Sequence, residues 1–402
     1  MLRIGLLGKP NSGKSTFFAA ATGKDVKIAD YPFTTIDPNV GIAYVSIECV
    51  CREFGVKDNP KNSVCIDGIR FIPVELWDVA GLVPGAWQGR GLGNKFLDDL
   101  RQADVLLHIV DASGRYDAEG KDLGKPGMWD PIEDIRFLEH ELQRWFWQIL
   151  KRNWTKFARR VEVEKKDLAL SLAVILSGLN ISEDQIRIAI EESKLDPEHP
   201  SSWSDEDILM FAGILRRVSK PIVVVANKMD IPVAEDNYKR MLKLGINAIP
   251  ASALAEFILI KFVEKGVIKY IRGSSTFEVI DSNKITDKEK KLLEKIQELL
   301  DKWGSTGVQK AINHAVFDVK KMIAVYPVED ENKLTDKKGN VLPDVFLVPQ
   351  GTTAKEFAGK IHSDLAKNFI YALDVRTKTK LSADYKLRHR DVIKIYAAAR
   401  RK

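Results

Sequence analysis

The strongest constraint on this chain lies at its start. Residues 8–15 read Gly-Lys-Pro-Asn-Ser-Gly-Lys-Ser, directly after an apolar run at 2–7 and before a helix-forming run at 16–21. Strand, glycine-bearing turn and helix in that order match G-x-x-x-x-G-K-[ST], a loop that wraps a polyphosphate. Gly8 and Gly13 let the backbone turn tightly and come close to the ligand. The amides of Asn11, Ser12, Gly13, Lys14 and Ser15 can then point inward, and the helix entered through Thr16 adds its positive end. Lys14 neutralises β- and γ-phosphates, and Ser15 offers a hydroxyl to Mg²⁺.

Later motifs narrow the ligand. Asp78-Val79-Ala80-Gly81 follows an apolar strand pattern at 71–77. An aspartate there can hold Mg²⁺ through water, and the Gly81 amide can meet the γ-phosphate. Asn227-Lys228-Met229-Asp230 follows an apolar run at 221–226. A carboxylate at Asp230 can accept from the N1–H and 2-amino group of guanine, a donor pair that adenine lacks. Ser252-Ala253 follows a third short strand, and its backbone can donate to the base oxygen. All of these fall at the C-terminal ends of strands, where an open parallel sheet binds ligands.

The rest of the chain sets bounds. At 402 residues, 45% hydrophobic and 29% charged, it is long enough for two or three domains and ordinary for a soluble protein. No apolar run reaches membrane-span length and no leader pattern precedes the first strand, so we expect a cytoplasmic protein that avoids membranes and acts as a monomer. Cys49, Cys51 and Cys65 lack C-x-x-C spacing and do not make a four-ligand site. They read as reduced thiols.

Strand signals at 2–7, 40–45, 69–77, 105–111, 221–226 and 247–250 alternate with helical patterns, which predicts a mostly parallel, doubly wound α/β sheet. More than a hundred residues separate the fourth and fifth of these strands, so a helical insertion occupies 114–203. It opens on a flexible stretch at 114–126 and continues as one or two long helices at 131–177. Within 144–166, eight Lys/Arg residues interleave with Trp145, Trp147, Trp154 and Phe157. Two readings are open: an amphipathic hairpin with aromatics in its core, or an arm that stacks on RNA bases. The nucleotide-binding domain is therefore 1–113 with 204–275, followed by a helical linker at 276–321. At 322–402 the pattern changes to a small mixed sheet wrapped on one helix, a β-grasp domain. From Lys320 to Lys402 there are 18 Lys/Arg against 10 Asp/Glu, a net +8 in a chain of net +6.

These motifs resemble a known family. Tyr31-Pro32-Phe33-Thr34-Thr35-Ile36-Asp37-Pro38-Asn39-Val40-Gly41 is similar to the switch I signature of Obg-like GTPases. Residues 78–86, with 91–97 behind them, resemble their switch II. Val348-Pro349-Gln350-Gly351-Thr352-Thr353 and Leu387-Arg388-His389-Arg390-Asp391-Val392-Ile393-Lys394 resemble a TGS domain. With the insertion before N-K-x-D, the chain is similar over nearly its whole length to the YchF subfamily in its archaeal-type form.

The resemblance implies a P-loop NTPase with an α-helical insertion and a C-terminal β-grasp (TGS) domain. It implies that Thr35, or failing it Thr34, completes the Mg²⁺ shell begun by Ser15 and Asp78. It also implies contact with the ribosome or ribosomal RNA, for which Lys386, Arg388, Arg390, Lys394, Arg400, Arg401 and Lys402 have the right charge. Bacterial and eukaryotic members carry N-x-x-E and prefer ATP, whereas this chain keeps Asn227 and Asp230, so GTP/GDP is expected and ATP stays open. Those members also bear a histidine after the fourth strand that is implicated in hydrolysis, and 112–126 has none. Where Ras-like GTPases place a glutamine after D-x-x-G, this chain has Leu82, so intrinsic turnover should be slow. In several relatives the residue matching Asn11 helps hold K⁺, which implies K⁺-stimulated hydrolysis here. A nucleotide-gated RNA-binding module with incidental hydrolysis is the reading from another class.

Overall fold

The computed structural model describes residues 1–23, 40–79 and 100–398. A seven-stranded sheet forms the centre, ordered β2 (Val40–Glu48), β4 (Ile69–Asp78), β1 (Arg3–Leu7), β5 (Val105–Asp111), β6 (Ile222–Asn227), β7 (Ile249–Pro250), with β3 (Val64–Ile66) also paired to β4. The strands from β4 to β7 along this order run parallel, while β2 and β3 pair with β4 antiparallel. Every residue of β5 is buried, as expected for a central strand covered on both faces. The register aligns the functional ends. Leu6 of β1 faces Asp78 of β4, and Asp111 of β5 faces Asn227 of β6.

The insertion folds as helices Pro131–Lys151, Trp154–Val163, Leu168–Ile175 and Glu183–Ser193, joined to the sheet by Asp205–Ser219. The expected one or two helices over 131–177 are three, because the chain turns at 152–153 and again at 164–167, where Lys165 takes φ +49°. Ser182 and Ser204 start their helices with reciprocal caps to Gln185 and Asp207. Trp145, Trp154 and Phe157 are buried, and Trp154 stacks on Trp203 at 5.2 Å between ring centres. Trp147 is half-buried beneath Arg144 and Lys151. The aromatics therefore build the insertion's core, while Arg152, Lys156, Arg159, Arg160, Lys165 and Lys166 form a solvated face.

The C-terminal unit is a five-stranded sheet, ordered Phe346–Pro349, Met322–Pro327, Val392–Ala397, Phe369–Asp374, Lys380–Leu381, packed on helix Ala354–Ile361. Its first and last strands pair parallel at the centre, the β-grasp arrangement. It does not hang on a free linker. Tyr326, Val328, Leu342, Val345 and Val392 belong to the same buried cluster as Val45 and Ile72 of the main sheet. Arg70, fully buried, donates to the Leu342 carbonyl at 2.9 Å, and Asn59 and Lys61 amides donate to Val341 and Pro343 carbonyls. Arg376 and Arg390 reach Glu53, and Arg390 also faces Glu48. Among the described residues, no helix is long and apolar enough to cross a membrane.

If the insertion's aromatics are core, Trp154→Ala should cost about 3–5 kcal/mol in chemical unfolding, as for other buried tryptophans. Arg159→Ala should change stability by less than about 0.5 kcal/mol.

Candidate functional site

The loop after β1 is shaped by its own residues and by two neighbours. Gly13 takes φ +91°, and a Cβ there would lie 2.3 Å from Asn227 Nδ2, so the close approach requires glycine. Asn11 takes φ +64°, donates from Nδ2 to the Gly120 carbonyl at 2.8 Å, and accepts from Lys228 Nζ on its own carbonyl at 2.7 Å. Helix Lys14–Thr22 begins immediately, with Ser15 and Thr16 at its positive end. A cavity of about 450 Å³ opens over this turn, lined by Gly8, Asn11, Gly13, Lys14, Ser15 and Thr16 together with Tyr116 and Lys228. Ser12 is fully buried beneath it.

Asn227 joins the two halves of the site. Its Nδ2 donates to the Ser12 carbonyl at 2.9 Å, and its Oδ1 accepts from the Ala253 amide at 3.0 Å. Ser252 donates from Oγ to Asp230 Oδ1 at 2.7 Å while its Oγ accepts the Ala255 amide, which starts helix Ala253–Glu264. Asp230 is exposed and aimed by that hydroxyl, so it is free to accept from an incoming base. A turn at 304–307 supports this loop from behind. The Ser252 amide donates to the Thr306 carbonyl at 2.8 Å, and a Cβ on Gly307 would sit 2.0 Å from the Pro250 carbonyl.

Lys14 and Asp78 meet as an ion pair of 2.8 Å, and Lys14 also donates to the Val79 carbonyl. Asp78 Oδ1 is the oxygen that faces Lys14 Nζ, and Ser15 follows Lys14 in the first turn of the helix. An oxygen held mainly by a lysine charge, beside a hydroxyl at a helix start, suits a hard divalent cation such as Mg²⁺. Thr35, Thr34, Gly81 and Leu82 lie outside the described residues, as do Arg400, Arg401 and Lys402.

Several site residues carried no motif. The stretch 114–126, expected to be flexible, is tightly turned: Asp117 accepts the Glu119 and Lys121 amides, and Arg115 pairs with Asp122 at 2.8 Å. It thereby presents Tyr116, whose ring lies 4.4 Å from Lys228 Nζ. Lys228 pairs with fully buried Asp111 at 3.1 Å, and burial holds its ammonium below the ordinary lysine range. Lys9, an unspecified position of the loop motif, makes a buried pair with Asp134 of the insertion at 2.8 Å and donates to the Tyr116 carbonyl. Burial pushes the Asp134 carboxyl up. Aspartates spaced for turns were the available signal for the first of these, and nothing local marked the second.

A parallel sheet with this loop after β1, an aspartate at the end of β4 and N-K-x-D after β6 is the fold of a P-loop GTPase. Comparison with known proteins agrees. Residues 3–133 match the family "50S ribosome-binding GTPase", 225–330 match "Obg-like GTPase YGR210-like, G4 motif-containing domain", and 333–397 match "TGS domain". A GTP-binding protein of Methanocaldococcus jannaschii is 52% identical, with 100% of each chain covered. The Ribosome-binding ATPase YchF of Mycoplasma genitalium is 30% identical over 92% of this chain and 87% of its own. The crystal structure of a GTP binding protein from Pyrococcus horikoshii superposes with TM-score 0.80 at 39% identity, covering 99% of this chain and 100% of that one. The chain belongs to the Obg-like YchF family of P-loop GTPases, with a C-terminal TGS domain.

Gly13→Ala should weaken GDP binding at least about tenfold in calorimetric titration, because the new methyl must displace the Asn227 amide. Unchanged affinity would show that Asn227 moves without cost.

Proposed function

We propose that this chain is a guanine-nucleotide switch that hydrolyses GTP slowly and is read by the ribosome. The observation that carries the base assignment is the Ser252–Asp230 hydrogen bond, which orients an exposed carboxylate beside the Ala253 end of the Asn227 bridge. Lys14 and the amides of the 8–15 loop would hold the β- and γ-phosphates, with the Lys14–Asp78 pair opening to admit them. Ser15, Asp78 and Thr35 would hold Mg²⁺, which neutralises phosphate charge when bound. Gly81 would contact the γ-phosphate, and loss of that contact after hydrolysis would release both switches. Asn11 Nδ2 is committed to Gly120, leaving Oδ1 as the atom able to meet K⁺. The chain divides for this purpose into a nucleotide-binding domain at 1–113 and 204–275, an insertion at 114–203, a linker at 276–321 and a TGS domain at 322–402.

The ribosome reading rests on the names carried by relatives, such as the Mycoplasma genitalium ATPase, and on charge. The available charge differs from the count in the sequence. Arg390 is turned inward to Glu48 and Glu53, and Lys394 pairs with Glu331, so neither is free for a phosphate backbone. Lys386 and Arg388 are exposed. Because the TGS domain shares a core with the main sheet, removing 322–402 would expose that core, and point variants are the better probe. The protein would act in the cytoplasm as a monomer.

Asp230→Asn should lower GDP affinity by about 100-fold or more and raise affinity for xanthosine diphosphate, since the amide pairs with the altered base edge. No exchange of preference would mean that Asp230 does not read the base. Co-sedimentation with ribosomes should fall steeply with salt and drop further in the Lys386→Ala, Arg388→Ala double variant. Salt-insensitive binding would remove the basic face from the account. GTP turnover should be faster in KCl than in NaCl, and equal rates would exclude Asn11 as a cation ligand.

A further inference from the structure

Away from the nucleotide, the segment after β2 gathers four side chains of the kind that soft and borderline metals select. Cys49 caps the short helix Val50–Glu53, Cys51 lies in its first turn, Cys65 sits in β3, and Asp58 comes from the loop between them. One ligand atom from each lies within 4.8 Å of the others. Cys51 Sγ and Cys65 Sγ are 3.8 Å apart, and Cys49 Sγ is 3.2 Å from Asp58 Oδ2. In a tetrahedral zinc site, Zn–S of about 2.3 Å and Zn–O of about 2.0 Å put sulfurs about 3.8 Å from each other and about 3.5 Å from oxygen. We propose that Cys49, Cys51, Cys65 and Asp58 form a structural zinc site at the joint between the main sheet and the TGS domain.

Three features support zinc over three unrelated thiols. The ligand set is closed: Cys49 and Cys51 are buried, and four protein ligands leave no open position. The charge is manageable. Three thiolates and a carboxylate exceed the charge of zinc by two, and Arg70, buried opposite Cys65 in the β3–β4 register, offsets one of these. Arg70 also touches Asp58 at 3.0 Å, the kind of outer contact that fixes a ligating carboxylate.

The position suggests what the ion does. The closed loop carries Asn59, Lys61 and Asn62, which make the hydrogen bonds to residues 341–345 of the TGS domain. Zinc would pin that loop and, through it, the relative orientation of the two units. Unlike Mg²⁺, it would be independent of nucleotide.

The test uses the full chain purified under reducing conditions. Elemental analysis should find about one zinc per chain, retained through dialysis against EDTA-free buffer. Co²⁺ added to chelator-treated protein should give thiolate-to-cobalt charge-transfer bands and the intense visible bands of a tetrahedral ion. Cys65→Ser should reduce the charge-transfer intensity by roughly a third. Thermal stability lost on chelation should return with Zn²⁺ and not with Mg²⁺. If the variant fails to fold, the wild-type cobalt spectrum decides alone. Metal-free protein that gives no tetrahedral cobalt spectrum would overturn the proposal, as would a Cys51–Cys65 disulfide in the peptide map.

Discussion

The candidate site depends on one side chain that donates from one end and accepts at the other. Asn227 spans from the Ser12 carbonyl to the Ala253 amide, joining the phosphate loop to the base loop across two strands. A primary amide suits this role because its two ends have opposite hydrogen-bonding character at a fixed separation. Buried as it is, each end satisfies a backbone group that would otherwise be stranded. Gly13 exists in its conformation to make room for that amide, and the turn at 304–307 holds the far end of the bridge in place. The 8–15 loop and the loop after β7 are thus held in one fixed relation, which on the proposed function sets phosphate and base positions together.

The second organising element is β4. Arg70 near its start is buried against Leu342 and Tyr326 of the TGS domain, and Asp78 at its end faces Lys14. At about 3.3 Å per residue the two are roughly 26 Å apart along one strand. Under the proposed function, a nucleotide-dependent change at Asp78 would therefore lie on the same strand as the domain contact at Arg70. The shared core makes the TGS domain part of the nucleotide-binding domain's frame, which is a different object from a tethered module.

Much of this was legible because the chemistry demands local patterns. The 8–15 loop, Asp78, Asn227, Asp230 and Ser252 each follow an apolar strand, and the structure places those strands in adjacent register. The strand at 105–111 and the helices capped by Ser182 and Ser204 were equally open to reading, since periodicity and capping are sequence-local. What escaped depends on contacts distant in sequence. Lys9 with Asp134, Lys228 with Asp111 and Arg390 with Glu53 join residues that no local spacing relates. The same holds for the thiol cluster: without Asp58, which is not a residue type that announces a metal site, three cysteines lacked a fourth ligand. Net charge misled for a related reason, because a count of basic residues cannot say which are already paired.

The central claim is that Asp230, aimed by Ser252, makes this a guanine-nucleotide protein. Calorimetric titration of the full chain with GDP and ADP, each with Mg²⁺ in KCl, tests it most directly. GDP should bind tighter than ADP by about 100-fold or more, the discrimination expected when the carboxylate loses the donor pair that guanine supplies. Equal affinity, or tighter binding of ADP, would contradict it.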